Sequence, residues 1–139
     1  MKSKYTSLVK LKKRELDHAE RDLVSANSIL TLTSIALDDA YILLQSLSLP
    51  TSGTVSEFTQ SQILIQTQHY EIEQCANNLA KAQQNLYQMQ QHFKAAMMEY
   101  EKFKYLQLQE TQAHSAKIKK EEAKMLDEIG VMTYKREPL

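Results

Sequence analysis

Glycine, proline, tryptophan and cysteine are all scarce in this chain. Its 139 residues include two glycines, two prolines, one cysteine and no tryptophan. A sheet protein needs far more turn residues than this, because glycine and proline make most tight turns. Runs of Ala, Leu, Gln, Glu and Lys dominate the sequence instead, and these residues favour long helices. The composition therefore predicts an all-α chain.

A membrane span, a signal peptide and a disulfide are also missing. No stretch approaches the roughly 20 consecutive apolar residues of a membrane span, since Asp38 and Asp39 interrupt the apolar residues 29–49. The basic start, residues 1–5, is not followed by the apolar core of a signal peptide. The single cysteine, Cys75, cannot form an internal disulfide. We therefore expect a cytoplasmic protein.

Basic residues are absent from a long part of the chain. Residues 23–80 contain five acidic residues and no Lys or Arg, although the whole chain has a net charge of zero. If the chain folds back on itself, one end is acidic, and this polarity can orient partners. The alternative is a solvated surface with no role. Elsewhere acidic residues are interleaved with the basic ones and no nucleic-acid-binding motif is present, so we expect no nucleic acid partner.

Apolar residues recur with the alternating three-and-four spacing of a heptad repeat in both halves of the chain. Such a stripe stays on one side of a helix only if a partner helix supercoils with it. The d positions are mostly small, with Ala19, Ala26 and Ala40 in the first half. The predicted coiled-coil seam consists of the a positions Leu16, Leu23, Leu30, Leu37, Leu44, Ile65, Ile72, Leu79, Leu86 and Phe93.

One interior segment, residues 49–53, combines a proline with a glycine and so must end the first helix. The next residues, from Thr54 to Glu57, have the capping-box spacing that starts a helix. A connection this short makes the two helices antiparallel. We predict a single coiled-coil domain over residues 1–139, with helices at about 4–48 and 55–130, a turn at 49–53 and a tail at 131–139.

The predicted fold class is therefore all-α, a long two-helix antiparallel coiled-coil hairpin with an extended unpaired C-terminal helix. Pairing about the turn places side by side residues whose numbers add to about 103. The first helix then runs out near residue 98 of the second. After Phe103 the seam positions become polar or charged, for example Gln107, Glu110 and His114, so the apolar stripe lapses where the partner ends.

No catalytic or metal-binding arrangement is apparent. The four histidines are scattered, and no two stand four residues apart on a helix as a metal pair would. Asp38 and Asp39 are adjacent, so on a helix they point about 100° apart and cannot act on one substrate. No glycine-rich phosphate loop exists. We expect a protein that binds other proteins, with no enzymatic activity, cofactor or metal.

Exposed apolar residues near the turn are the strongest candidate binding site. The f position of a two-stranded coiled coil faces away from the partner and is normally polar. The pairing rule places Ile42 near Ile63, which predicts one docking patch; the alternative is a local shift of register that buries these residues. The predicted patch comprises Tyr41 at e, Ile42, Ile63 and Tyr70 at f, and Leu43 and Leu64 at g.

Two motifs stand near the ends of the chain, and the second half between them is rich in glutamine. The motifs are Leu8-x-x-Leu11-x-x-x-Glu15-x-x-x-Ala19 and Leu126-Asp127-Glu128-Ile129-Gly130, the latter followed by Arg136 and Pro138. In these features the chain resembles the flagellar type III export protein family FliJ. The resemblance implies a monomeric stalk that binds the ring of the export ATPase, FliI, and links it to the cytoplasmic domain of the export gate, FlhA, at the inner membrane. Export chaperones are further implied partners.

The resemblance also assigns roles to residues at both ends of the hairpin. It implies that the ATPase is faced by Leu8, Leu11, Asp127, Glu128 and Arg136. It implies that aromatic residues flanking the turn, here Tyr41 and Tyr70, face the gate. The alternatives are a general structural coiled-coil scaffold, a prefoldin-like holdase or the stalk of an injectisome, which would look much the same in sequence.

Overall fold

The structure, a computed structural model, describes residues 4–136 and the side chains of residues 4–134. It contains two helices, α1 at Thr6–Ser46 and α2 at Val55–Arg136, and no strand within that range. The two helices pack against each other as an all-α helical hairpin. The predicted fold class is confirmed.

Contacts divide the chain into two units, and each contains part of both helices. The turn unit runs from Asp17 to Ala95 and so includes the connection between the helices. The terminal unit comprises the residues up to Leu16 and those from Ala96 onward. The predicted partner-binding residues divide between them, since those assigned to the gate lie in the turn unit and those assigned to the ATPase lie in the terminal unit.

The connection between α1 and α2 is an irregular segment closed by a helix cap. Gly53 has a φ of 137°, a backbone conformation that other residues rarely adopt. The Glu57 side chain folds over this glycine, so a Cβ there would collide with the carboxylate. The Thr54 hydroxyl accepts a hydrogen bond from the Glu57 backbone N–H at 3.2 Å. This is the bond that the capping-box spacing predicts, and it fixes the start of α2.

Both helices end at different residues from those predicted. α1 ends at Ser46 rather than near residue 48, because the Pro50 ring would clash with the carbonyl of residue 46 in a continuing helix. α2 continues to Arg136 instead of ending near residue 130. Gly130 stays within the helix, since a helical glycine costs only about 1 kcal/mol relative to alanine. Residues 137–139 of the predicted tail lie outside the described residues.

The interface between the helices is the heptad seam. Leu16 and Ile72 are each 8% exposed, and the other eight leucine, isoleucine and phenylalanine positions of the seam are half-buried. The d positions carry the most completely buried residues, with Ala19 fully buried and Ala26 2% exposed. Small residues at d let the helices approach closely, so that a leucine of one helix fits between residues of the other.

A buried hydrogen bond fixes the register in the turn unit. The Gln68 side-chain amide donates to the Ala40 backbone carbonyl at 2.8 Å. The two residue numbers add to 108, and so do those of Tyr5 and Phe103, whose rings lie 6.3 Å apart in the terminal unit. The predicted sum of about 103 was therefore too low.

The irregular connection explains the difference in register. A non-helical chain advances about 3.3 Å per residue, against 1.5 Å in a helix. Leu47 and Pro50 are half-buried and non-helical, so a few residues of the connection span the first turns of α2. Hydrogen bonds in the terminal unit join residues whose numbers add to still more, Gln107 with Thr6 at 3.2 Å and Lys4 with Glu110 at 3.4 Å. The accompanied part of α2 therefore reaches Glu110 rather than residue 98.

Replacing Gln68 by glutamate tests the register bond. At neutral pH a carboxylate would face the Ala40 carbonyl, so we expect the free energy of unfolding to fall by about 1–3 kcal/mol. The same change at exposed Gln66 should cost less than about 0.5 kcal/mol. Urea denaturation monitored by circular dichroism measures both.

The loss should also depend on pH. Because the folded state disfavours the charged form, the pKa of the introduced carboxyl is raised above its unfolded value of about 4.3. The loss of stability is therefore absent at a pH below the unfolded-state pKa, and it grows as the pH rises from there through the folded-state pKa. Equal losses for the Gln68 and Gln66 variants, or a loss independent of pH, would contradict this account.

Candidate functional site

Metal-type clusters and membrane-spanning helices are absent from residues 4–134. No group of three or more His, Cys, Asp and Glu side chains there could hold a metal ion. No helix in that part of the chain is long and apolar enough to cross a membrane. Cys75 is half-buried at its d position. His18 is exposed, and its Nδ1 lies 3.1 Å from an Asp22 carboxylate oxygen on the same helix.

The six residues predicted to dock the gate are all exposed. The shift of register described above does not bury them, so the alternative reading of these residues is wrong. The exposed fractions are 48% for Tyr41, 63% for Ile42, 52% for Leu43, 55% for Ile63, 58% for Leu64 and 60% for Tyr70.

These six residues do not form one continuous patch. In a two-stranded coiled coil the f positions of the two helices point away from each other, on opposite sides of the pair. Ile42 therefore faces one side, while Ile63 and Tyr70 face the other. Leu43 and Leu64, both at g, share a third side, and their numbers add to 107, close to the observed register. The prediction that Ile42 lies near Ile63 overlooked this geometry.

A groove between α1 and α2 in the turn unit was not predicted. We call it the lateral groove. Its position follows from the heptad, because the g positions of antiparallel helices face each other along one side of the seam. Ile29 and Leu32 on its rim are 47% and 67% exposed. The groove is lined by Ile29, Leu32, Thr33 and Ala36 from α1 and by Asn78, Lys81, Ala82 and Asn85 from α2.

Aromatic rings and lysines hold the start of α1 against α2 in the terminal unit. Tyr5 packs on Phe103, the Lys12 Nζ lies 5.7 Å from the Phe103 ring centroid, and the Lys13 Nζ lies 5.6 Å from the Tyr100 ring centroid. Such cation–π contacts contribute about 0.5–1 kcal/mol each at exposed sites. Leu8, one of the predicted ATPase-facing residues, is 38% exposed beside this cluster.

Beyond Glu110, no second helix accompanies α2 among residues 4–136. Every side chain from residue 111 to residue 134 is exposed, and we call this segment the free helix. Asp127 and Glu128 lie on it, whereas the Arg136 side chain is outside the described residues. The predicted ATPase-facing residues are therefore in two places. Asp127 lies 24 residues beyond Phe103, or about 36 Å along the helix, so it is far from Leu8 and Leu11.

The free helix also carries exposed apolar residues. Four of them form a stripe on one face of the helix, because they are spaced by seven, four and three residues. The stripe consists of Ile118, Met125, Ile129 and Met132. Leu126, Val131 and Tyr134 are also exposed and point in other directions, since they stand at other angles around the helix axis.

Comparison with known proteins identifies the family. A family model described as the flagellar FliJ protein matches residues 1–139, the whole chain. The chain belongs to the FliJ family. No curated protein and no solved structure matches it. The FliJ family is a non-catalytic component of the flagellar type III export apparatus, so the resemblance noted in the sequence is confirmed at this level.

The absence of a neighbour for the free helix predicts rapid hydrogen exchange there. An isolated helix of this length is marginal in water, because most helical stability in proteins comes from packing. Amides of residues 111–134 should exchange at least about tenfold faster than those of residues 65–100, as measured by mass spectrometry on the full chain. Equal protection in the two segments would show that something in the molecule shelters the free helix.

Proposed function

We propose that this FliJ family member is a stalk that binds the export ATPase ring through its terminal unit and the export gate through its turn unit. The observation that carries the proposal is the free helix. A helix that docks on a flat surface is apolar on one face only. From Met125 to Tyr134, by contrast, exposed apolar side chains surround the axis. A ring of ATPase subunits enclosing the helix would bury them on all sides.

The ATPase contact is expected to involve both predicted groups of the terminal unit. Asp127, Glu128 and Arg136 belong to the segment that would enter the ring. Leu8 and Leu11 lie beside the part of α2 that is still accompanied, and they would meet a different part of the ATPase. This division follows from their separation along α2 and supports a ring that contacts the stalk at two levels.

The gate contact is supported by large apolar side chains at positions that a two-stranded coiled coil normally leaves polar. Ile42 on α1 and Ile63 and Tyr70 on α2 are each more than half exposed. Because they point to opposite sides, the gate would grip the turn unit from two sides. Residues 23–80 also carry only acidic charges, which would orient the turn unit toward a basic surface. Tyr41, Leu43 and Leu64 complete the contact.

Coupling between ring and gate requires contacts that differ between states. A stalk bound equally well to every state of the ATPase shifts no equilibrium and serves only as a tether. The proposed stalk therefore acts by contacting some ATPase subunits differently from others. It lies in the cytoplasm and meets the inner membrane only through its partners, and export chaperones are further proposed partners.

Paired variants test the two contacts separately. Replacing Ile129 by glutamate should weaken binding to the purified ATPase hexamer by at least about tenfold, the effect of losing about 1.4 kcal/mol. Its affinity for the gate cytoplasmic domain should not change. Replacing Ile42 by glutamate together with Tyr70 by alanine should weaken binding to the gate cytoplasmic domain by at least about tenfold and leave the affinity for the ATPase hexamer unchanged.

The control places glutamate at Val24, which is 60% exposed in the turn unit and belongs to neither contact. It should bind both partners normally. A chain ending at Glu110 should lose the ATPase and keep the gate. The stalk proposal fails if this shortened chain still captures the ATPase, or if the Ile42 and Tyr70 changes leave the gate affinity unaltered.

A further inference from the structure

Methionine supplies half of the apolar stripe on the free helix. Met125 and Met132 stand one heptad apart, so they face the same side of the helix, with Ile129 between them. They are 61% and 53% exposed, and no second helix among residues 4–136 covers them. Both side chains are therefore open to small solutes in the solvent.

The other described methionines lie elsewhere on α2. Met89 is half-buried at a d position of the seam. Met97 and Met98 are exposed on the accompanied part of the helix, about 40 Å before Met125. Among the described methionines, only Met125 and Met132 therefore lie on the segment proposed to enter the ATPase ring.

Hydrogen peroxide converts an exposed methionine to its sulfoxide. The sulfur lone pair attacks one peroxide oxygen, an S–O bond forms, the O–O bond breaks, and one molecule of water leaves. The sulfur is oxidised by two electrons and the peroxide is reduced by two. A methionine sulfoxide reductase reverses the change with a dithiol, which becomes a disulfide while the sulfoxide oxygen leaves as water.

Oxidation changes what the stripe can bury. A sulfoxide is polar, and its oxygen accepts hydrogen bonds from water as long as the helix is free. Enclosure by the ring would remove that water, and burying a polar group without a hydrogen-bond partner costs free energy. Because Met125 and Met132 face the same side, both sulfoxides would weaken the same contact.

We propose that Met125 and Met132 form a reversible oxidation site, at which peroxide releases the stalk from the ATPase ring and a methionine sulfoxide reductase restores the contact. This inference rests on the proposed stalk function, because it concerns the segment that would enter the ring. It adds a chemical control of that contact. The gate contact is not affected, since Ile42, Ile63 and Tyr70 carry no sulfur.

The full chain is oxidised before it meets the ATPase. It carries Cys75→Ser, so that thiol oxidation plays no part, and catalase removes the peroxide. Peptide mass spectrometry should show faster sulfoxide formation at Met125 and Met132 than at half-buried Met89. The oxidised chain should bind the purified ATPase hexamer at least about tenfold more weakly than the untreated chain.

Two readouts accompany the binding measurement. The affinity for the gate cytoplasmic domain should not change on oxidation, which also reports that the fold survives. Reductases for both sulfoxide epimers, supplied with dithiothreitol, should restore binding to the ATPase hexamer. Binding that stays weak after the sulfoxides have been reduced would overturn the proposal.

Matched variants locate the effect. Met125→Gln with Met132→Gln places polar side chains in the stripe and should weaken ATPase binding at least about tenfold without peroxide. Met98→Gln makes the same change at a similarly exposed residue, 66% against 61%, and should change binding less than about twofold. A chain with Met125→Leu and Met132→Leu should lose less than about twofold of its own affinity on peroxide treatment, whereas one with Met98→Leu should lose as much as the parent chain.

The possible results separate this inference from the stalk proposal. If the untreated chain does not bind the ATPase hexamer, the stalk proposal fails and this inference fails with it. If the untreated and the oxidised chains bind equally well, only the oxidation site is wrong. Equal losses of affinity for ATPase and gate, or equal effects of the Met98→Gln variant and the double glutamine variant, would also overturn it, because the effect would not be specific to the free helix.

Discussion

The contact between the leucine stripe of α1 and the isoleucine and leucine stripe of α2 is the interaction on which the rest of the molecule depends. It is the only core among the described residues, and no large side chain in it is fully buried. Buried alanines at d, such as Ala19 and Ala26, let the helices approach closely, so that the modest apolar area buried between them stabilises the hairpin. Gln68 then selects one register, because any slip would leave its amide unsatisfied inside the seam.

Unequal helix lengths leave apolar surface outside this seam. α1 has 41 residues and α2 has 82, so much of α2 cannot be accompanied by α1. The seam is built from a and d positions alone, which leaves the other faces of both helices available. The exposed apolar residues of the turn unit and of the free helix are therefore not defects of packing. They are surfaces that a two-helix fold cannot bury by itself, and they fit a member of an export apparatus.

The sequence predicts the seam well because a heptad repeat has a period that can be read directly. The family was also accessible, since its motifs lie at the two ends, near Leu8 and near Asp127. The register between the two helices could not be read from the sequence, because it depends on how far the irregular residues 47–54 advance the chain. The prediction that Ile42 lies near Ile63 used only the distance of each residue from the turn. That distance does not tell which side of its helix a residue faces. The lateral groove was missed although its signal, apolar residues at successive g positions such as Ile29, was present.

A cross-linking measurement on dilute protein tests the seam most directly. Lys12 and Glu99 lie across it, with a nitrogen-to-oxygen distance of 4.0 Å. With Cys75 replaced by serine and cysteines placed at these two positions, a short thiol-specific reagent should join α1 to α2 within one chain of 16.0 kDa. A pair at Lys12 and Lys119, farther along α2, should not react. Products containing two chains, or a reaction of the Lys119 pair in place of the Glu99 pair, would contradict the intramolecular seam.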